Sequence, residues 1–105
     1  MKTLTKNQLI NLESIYQAFA SLPRLKMLIH LSEHSPNECE HSVNELALIA
    51  GLTQSATSHQ LKWLRDKKIV KYRKEGLKSY YSLFDKHIIT ILESAINHLE
   101  NRGEY

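Results

Sequence analysis

His87 and His98 are the side chains of this 105-residue chain whose type and spacing best suit chemistry. They lie on one stretch, Asp85 to Asn101, with no Gly or Pro before Gly103. The stretch reads as a helix capped by Asp85, whose carboxylate can accept from the free N–H groups of the first turn. Helical residues advance by about 100°, so positions 87, 91, 94, 98 and 101 fall within roughly 60° of one another. That spacing is the one found along a coiled-coil seam. Here the seam carries His87, Ile91, Ser94, His98 and Asn101, with Ile88, Leu92, Ala95 and Leu99 beside it. The two imidazoles are about 16 Å apart along the axis, whereas donors to one zinc ion sit about 2 Å from it. One copy of the helix cannot serve one ion with both. An antiparallel copy crossing near Leu92 and Glu93 would set His87 of one chain beside His98 of the other. The pattern points to a homodimer with two ligand clusters, each spanning both chains. The competing reading is that the imidazoles pack and hydrogen-bond at an interface that holds no ion.

A second group of residues is suited to a polyanion. Lys62, Arg65, Lys67, Lys68, Lys71, Arg73, Lys74 and Lys78 crowd one segment against only Asp66 and Glu75, on a chain whose net charge is +3. A basic block on an otherwise mildly acidic chain is an electrostatic footprint for nucleic acid. A solvated charged face is the plainer alternative.

The elements that must position these groups follow from caps, periodicity and breakers. Thr5-Lys6-Asn7-Gln8 matches a capping box ahead of a helix carrying Leu9, Leu12, Ile15, Tyr16 and Phe19. Pro23 suits the first turn of a second helix, Arg24 to about Glu33, with Leu25, Leu28, Ile29 and Leu31 inward. Ser35-Pro36-Asn37-Glu38 reads as a loop. Ser42-Val43-Asn44-Glu45 is another capping box, opening a short helix that ends at Gly51. Thr53 caps the next helix, Gln54 to about Asp66, with Ala56, Leu61 and Leu64 toward the core and Trp63 also read as core. Two short helices about a Gly-containing turn form a helix-turn-helix, here about 42–66. Ile69–Lys74 and Lys78–Leu83, around a Glu75-Gly76 turn, read as a basic hairpin at about 69–83, the wing. The helix at about 85–101 completes a single domain, mostly α with a small β-hairpin, dimerising through its N- and C-terminal helices.

In such an arrangement the second helix of the motif enters the major groove with its N-terminal residues toward base edges. Those residues are Gln54, Ser55, Thr57, Ser58, His59 and Gln60. Gln can pair bidentately with adenine, while Ser and Thr serve several bases. Lys62, Arg65, Lys71, Arg73, Lys74 and Lys78 would hold phosphates or reach the minor groove, setting affinity more than sequence choice. A two-fold dimer implies a palindromic double-stranded operator.

Composition excludes several alternatives. A 42% hydrophobic and 24% charged chain is ordinary for a globular domain. One cysteine precludes an internal disulfide and fits a reducing, cytoplasmic setting. No run approaches a membrane span. No nucleophile–base pair, Gly-rich phosphate loop or paired catalytic carboxylates suggest an enzyme or a small organic substrate. Cys39, His41 and His34 are candidates for an accessory ligand site, with His30 four residues before His34 on the second helix; otherwise they are a polar loop with an incidental thiol.

Val43-Asn44-Glu45-Leu46-Ala47, Leu52 to Lys62, Arg73-Lys74-Glu75-Gly76 and Tyr81-Ser82-Leu83 together resemble the ArsR/SmtB family of winged-helix repressors. The resemblance extends to Ala18-Phe19 and Arg24 to Leu28. It implies a dimeric repressor that holds its operator when metal-free and is released when metal binds at the dimer seam. The zinc and cobalt sensors of the family carry Asp-x-His, ten residues, His, then two residues and His or Glu. Asp85, His87 and His98 match; Asn101, a neutral and weak donor, stands fourth, with Glu100, Glu104 or water as substitutes. The implied regulatory ligand is Zn(II), or Co(II) or Ni(II), at two inter-subunit sites per dimer. Ser42 and Asn44 stand where arsenic and cadmium sensors of the family carry a Cys-x-Cys pair, which excludes thiolate sensing there. The alternative is a repressor of the same fold that senses a non-metal signal or has lost metal sensing.

Overall fold

The computed structural model describes residues 2–33 and 40–103. Five helices and three short strands follow in the order α1 (Lys6–Ala18), α2 (Leu22–Ser32), β1 (His41–Ser42), α3 (Val43–Ala50), α4 (Gln54–Asp66), β2 (Val70–Glu75), β3 (Lys78–Leu83) and α5 (Lys86–Asn101). This is a winged helix-turn-helix. Among the described residues no helix is long and apolar enough to cross a membrane.

The helix starts follow from side-chain caps. Thr5 and Gln8 close a full capping box on α1, with Thr5 Oγ1 accepting from the Gln8 N–H and Gln8 Oε1 from the Thr5 N–H. α2 begins earlier than Arg24 because the Ser21 hydroxyl accepts from the Arg24 N–H, leaving Pro23 in the first turn. Thr53 and Asp85 cap α4 and α5. Gly51 ends α3 at φ +71°, a left-handed conformation that costs glycine nothing.

The sheet has the order β1-β3-β2, antiparallel throughout. Val70 pairs with Leu83 and Glu75 with Lys78, so the tight turn is Gly76-Leu77 rather than Glu75-Gly76. Gly76 takes φ +63°, as the first residue of such a turn requires. Strand β1, where His41 faces Tyr81 and Ser42 faces Tyr80, turns the expected hairpin into a three-stranded sheet. Two residues are too few to show the alternation by which strands are recognised.

The core lies between α2, α3, α4 and the sheet. Met27, Leu28, Leu31, Leu46, Leu61, Leu64, Ile69 and Val70 are essentially sealed, with Ile88 and Leu92 of α5 closing one side. Burying a Leu fully contributes about 1.5–3 kcal/mol. Ile15, Phe19, Leu25, Ile29 and Trp63 pack at its margin. Ala56, expected inward, is exposed, and Thr57 takes its place at 0% exposure. The buried face of α4 runs through 57, 61 and 64, a spacing that leaves position 56 outside.

Candidate functional site

The N-terminal half of α4 presents Gln54, Ser55, Ser58, His59 and Lys62 to solvent. Gln54 and Ser58, one turn apart, line an open groove of about 390 Å³ between the helix-turn-helix and the wing. Its other walls come from Ser42, Val43 and Asn44 at the start of α3, and from Lys78, Ser79 and Tyr80 on β3. Amide and hydroxyl groups thus line the same slot as a lysine of the wing, between α3, α4 and β3.

Two of the residues expected to read bases are engaged elsewhere. Thr57 is sealed in the core and its hydroxyl donates to the Thr53 carbonyl at 2.8 Å, so it drops out of the reading set. Gln60 is half-buried and its Oε1 accepts from Arg24 Nη1 at 3.0 Å. Arg24 also donates to the carbonyls of Ala18 and Gln17, and lies 4.9 Å over the Trp63 ring. Gln60 therefore anchors α4 to the first two helices.

The cations divide in the same way. Lys62, Lys71, Lys74 and Lys78 are exposed. The Arg65 guanidinium is half-buried 4.4 Å over Tyr72, which stacks on Tyr81 at 5.7 Å between ring centroids. Arg73 Nε donates to both Glu40 carboxylate oxygens at 2.9 Å, and Nη1 to Glu75 Oε2 at 2.7 Å. Its hydrogen bonds to Glu75, then to Glu40, raise its pKa, so its charge is permanent but locally offset. Burial raises the Tyr81 hydroxyl above its ordinary 10.0, against a lowering by Arg65 and with a further rise from Tyr72.

At the start of α5, Asp85 Oδ1 accepts from the His87 N–H at 2.9 Å and lies 3.5 Å from His87 Nδ1. Cap and candidate ligand are one carboxylate. The His87 side chain is 90% exposed, and His98 and Asn101 are also on the solvent side of α5. Beside them Ile96 and Leu99 stay exposed, as do Leu9, Ile10, Leu12 and Tyr16 of α1. Within one chain Asp85 and His87 lie together at the start of α5, while His98 and Asn101 lie toward its other end. A carboxylate with imidazoles and an amide oxygen is an N/O donor set suited to Zn(II), Co(II) or Ni(II).

The family described as bacterial regulatory protein, arsR family, matches residues 23–72, from the first turn of α2 to β2. A transcriptional repressor SmtB homolog from Synechocystis sp. is 31% identical over 99 residues, covering 94% of this chain and 71% of that protein. A cadmium resistance transcriptional regulatory protein CadC homolog from Staphylococcus aureus is 34% identical over 97 residues, covering 92% and 77% respectively. This chain belongs to the arsR family. Among solved structures, NolR from Sinorhizobium fredii matches the arsR chain with a TM-score of 0.75 at 28% identity, over 100% of both chains. Relatives and fold make it a DNA-binding transcriptional regulator rather than an enzyme.

One cluster in this arsR protein shares only His41 with the accessory site expected from the sequence. Cys39 and His34 lie outside the described residues. His41 and His30 instead come together with Glu45, four residues beyond His41. Residues 30, 41 and 45 sit on three elements, and β1, which brings His41 alongside α2, was itself unforeseen.

Proposed function

We propose that this chain is a metal-responsive repressor that binds palindromic operator DNA as a homodimer. Zn(II), or Co(II) or Ni(II), held at the seam of two α5 helices releases it. The observation that carries this reading is the face of α5: Asp85, His87, His98 and Asn101 stand in solvent beside apolar side chains that one chain leaves uncovered. A second copy, antiparallel, would cover Ile96 and Leu99 and bring Asp85 and His87 to the partner's end of the seam. Two sites per dimer follow from the two-fold symmetry. The cadmium-resistance name of the Staphylococcus relative supports a metal as the signal.

Bound metal would fix the crossing of the two α5 helices and, through the rigid core, the separation of the two α4 helices. A separation unlike the operator's half-site spacing lowers affinity. A useful switch needs a coupling free energy of at least about 1–3 kcal/mol, roughly 5–150-fold in affinity. On the DNA side, Gln54, Ser55, Ser58 and His59 read bases from the groove, and Lys62, Lys71, Lys74 and Lys78 hold phosphates. Arg65 and Arg73 contribute from stacked and ion-paired positions.

Fluorescence anisotropy on operator duplex, with and without zinc, tests the reading. Zinc should weaken binding at least about fivefold, and His98→Ala should abolish that response while leaving metal-free affinity intact. Tight DNA binding with no zinc response would favour the same fold with another signal, a reading to which the neutral Asn101 lends weight. Absence of DNA binding would overturn the proposal.

A further inference from the structure

Glu45 is the third residue of α3, and its N–H donates to the Ser42 hydroxyl at 3.3 Å. In α1 the equivalent residue, Gln8, sends its side chain back to the cap. Glu45 does not follow that pattern: its Oε2 meets His30 Nε2 at 3.1 Å and also meets His41 Nδ1. The two imidazoles lie 4.6 Å apart between ring centroids, tilted by 54°. A carboxylate with a local role available has turned to two imidazoles from other elements, the last turn of α2 and strand β1.

We propose that His30, His41 and Glu45 form a divalent transition-metal site within each chain, separate from the α5 seam. One ligand atom from each lies within 4.8 Å of the others. Donors on a tetrahedral zinc at about 2.0–2.1 Å are about 3.3 Å apart, so an ion fits with side-chain adjustment alone. The His41, His30 and Glu45 side chains are 11%, 23% and 47% exposed, which shields the imidazoles and leaves the carboxylate side open to a water ligand. Two imidazoles and one carboxylate suit Zn(II), Co(II) and Ni(II), not the all-oxygen preference of Mg(II) and Ca(II). The ion would join three elements at once. β1 pairs with β3 of the wing, and α3 opens the helix-turn-helix, so the site lies at the joint between the two DNA-binding elements.

The test uses the full chain with His87→Ala and His98→Ala, which removes the seam histidines and makes the outcome independent of the seam proposal. Cobalt(II) titration should give one ion per chain with a visible ligand-field band, and excess zinc should raise the melting temperature by about 5 °C or more. Adding Glu45→Gln, at an open position that tolerates an amide, should abolish both effects with the circular dichroism spectrum unchanged. His41→Ala should do the same. The seam-free protein binding no cobalt, or binding it undiminished after Glu45→Gln, would overturn the site.

Discussion

At the residue scale, type and position in the sequence single out a polar, basic surface but do not say which side chains the fold itself engages. Gln54, Ser58 and Lys78 were placed on the DNA side by motif alone, and all three line the groove between α4 and the wing. Thr57 and Gln60 belong to the same run, yet one packs inward and the other holds Arg24. Polar residues read identically in sequence whether they serve DNA or the fold. Their different duties lead to different behaviour. Lys78→Ala should weaken binding across sequences and reduce the salt slope of log K by about 1, as loss of one phosphate contact does. Arg73→Ala should change that slope less, because Glu40 and Glu75 already offset its charge. Gln54→Ala should leave the slope unchanged and relax base preference by about 1–3 kcal/mol at one position. Operator titrations over a salt series distinguish the three. Tyr81 titrates in the opposite regime. Its folded pKa lies above the ordinary 10.0, chiefly through burial, so folding favours the protonated phenol. That contribution is complete below pH about 10 and is lost as pH rises through the higher folded value. Urea melts from pH 9 to 11 should show falling stability, and Tyr81→Phe should flatten the fall.

At the element scale, helices were legible wherever a side chain caps them, because caps are local chemistry. Thr5, Thr53 and Asp85 each fulfil theirs. Strand β1 was not legible, since a two-residue strand exists only through its partner. The end of α4 shows the same limit. Lys68 sits at φ +58° with its N–H on the Arg65 carbonyl, and the Ile69 N–H returns to the Leu64 carbonyl, both at 2.9 Å. This is a Schellman closure, with Ile69 and Leu64 both buried in the core cluster. Glycine would ordinarily occupy the left-handed position; lysine there conceals the signal and leaves strain in place. Lys68→Gly should therefore stabilise the protein by about 0.5–1 kcal/mol, seen as a higher urea midpoint at unchanged m-value. The substitution also removes a cation from the basic block, so a salt series on operator DNA should accompany it.

At the scale of the whole molecule, the winged fold was readable from the order of caps, breakers and periodic runs. What one chain leaves open is equally informative: α1 and α5 expose Leu9, Ile10, Leu12, Tyr16, Ile96 and Leu99 along with the seam ligands. Hydrophobic periodicity marks such residues as interior without saying whose interior they join. If two chains complete each other, ligand sets broken in different places must be able to repair one another. One variant carries Asp85→Ala and His87→Ala; the other carries His98→Ala and Asn101→Ala. Alone, each forms dimers with no complete seam site. Unfolded together and refolded in equal amounts, half of the dimers are mixed and each of these holds one intact site. Cobalt(II) uptake, read above the constant contribution of His30, His41 and Glu45, should then return to about a quarter of the wild-type seam capacity by this two-fold symmetry. Uptake by the mixture no greater than that of either variant alone would contradict a seam shared between subunits.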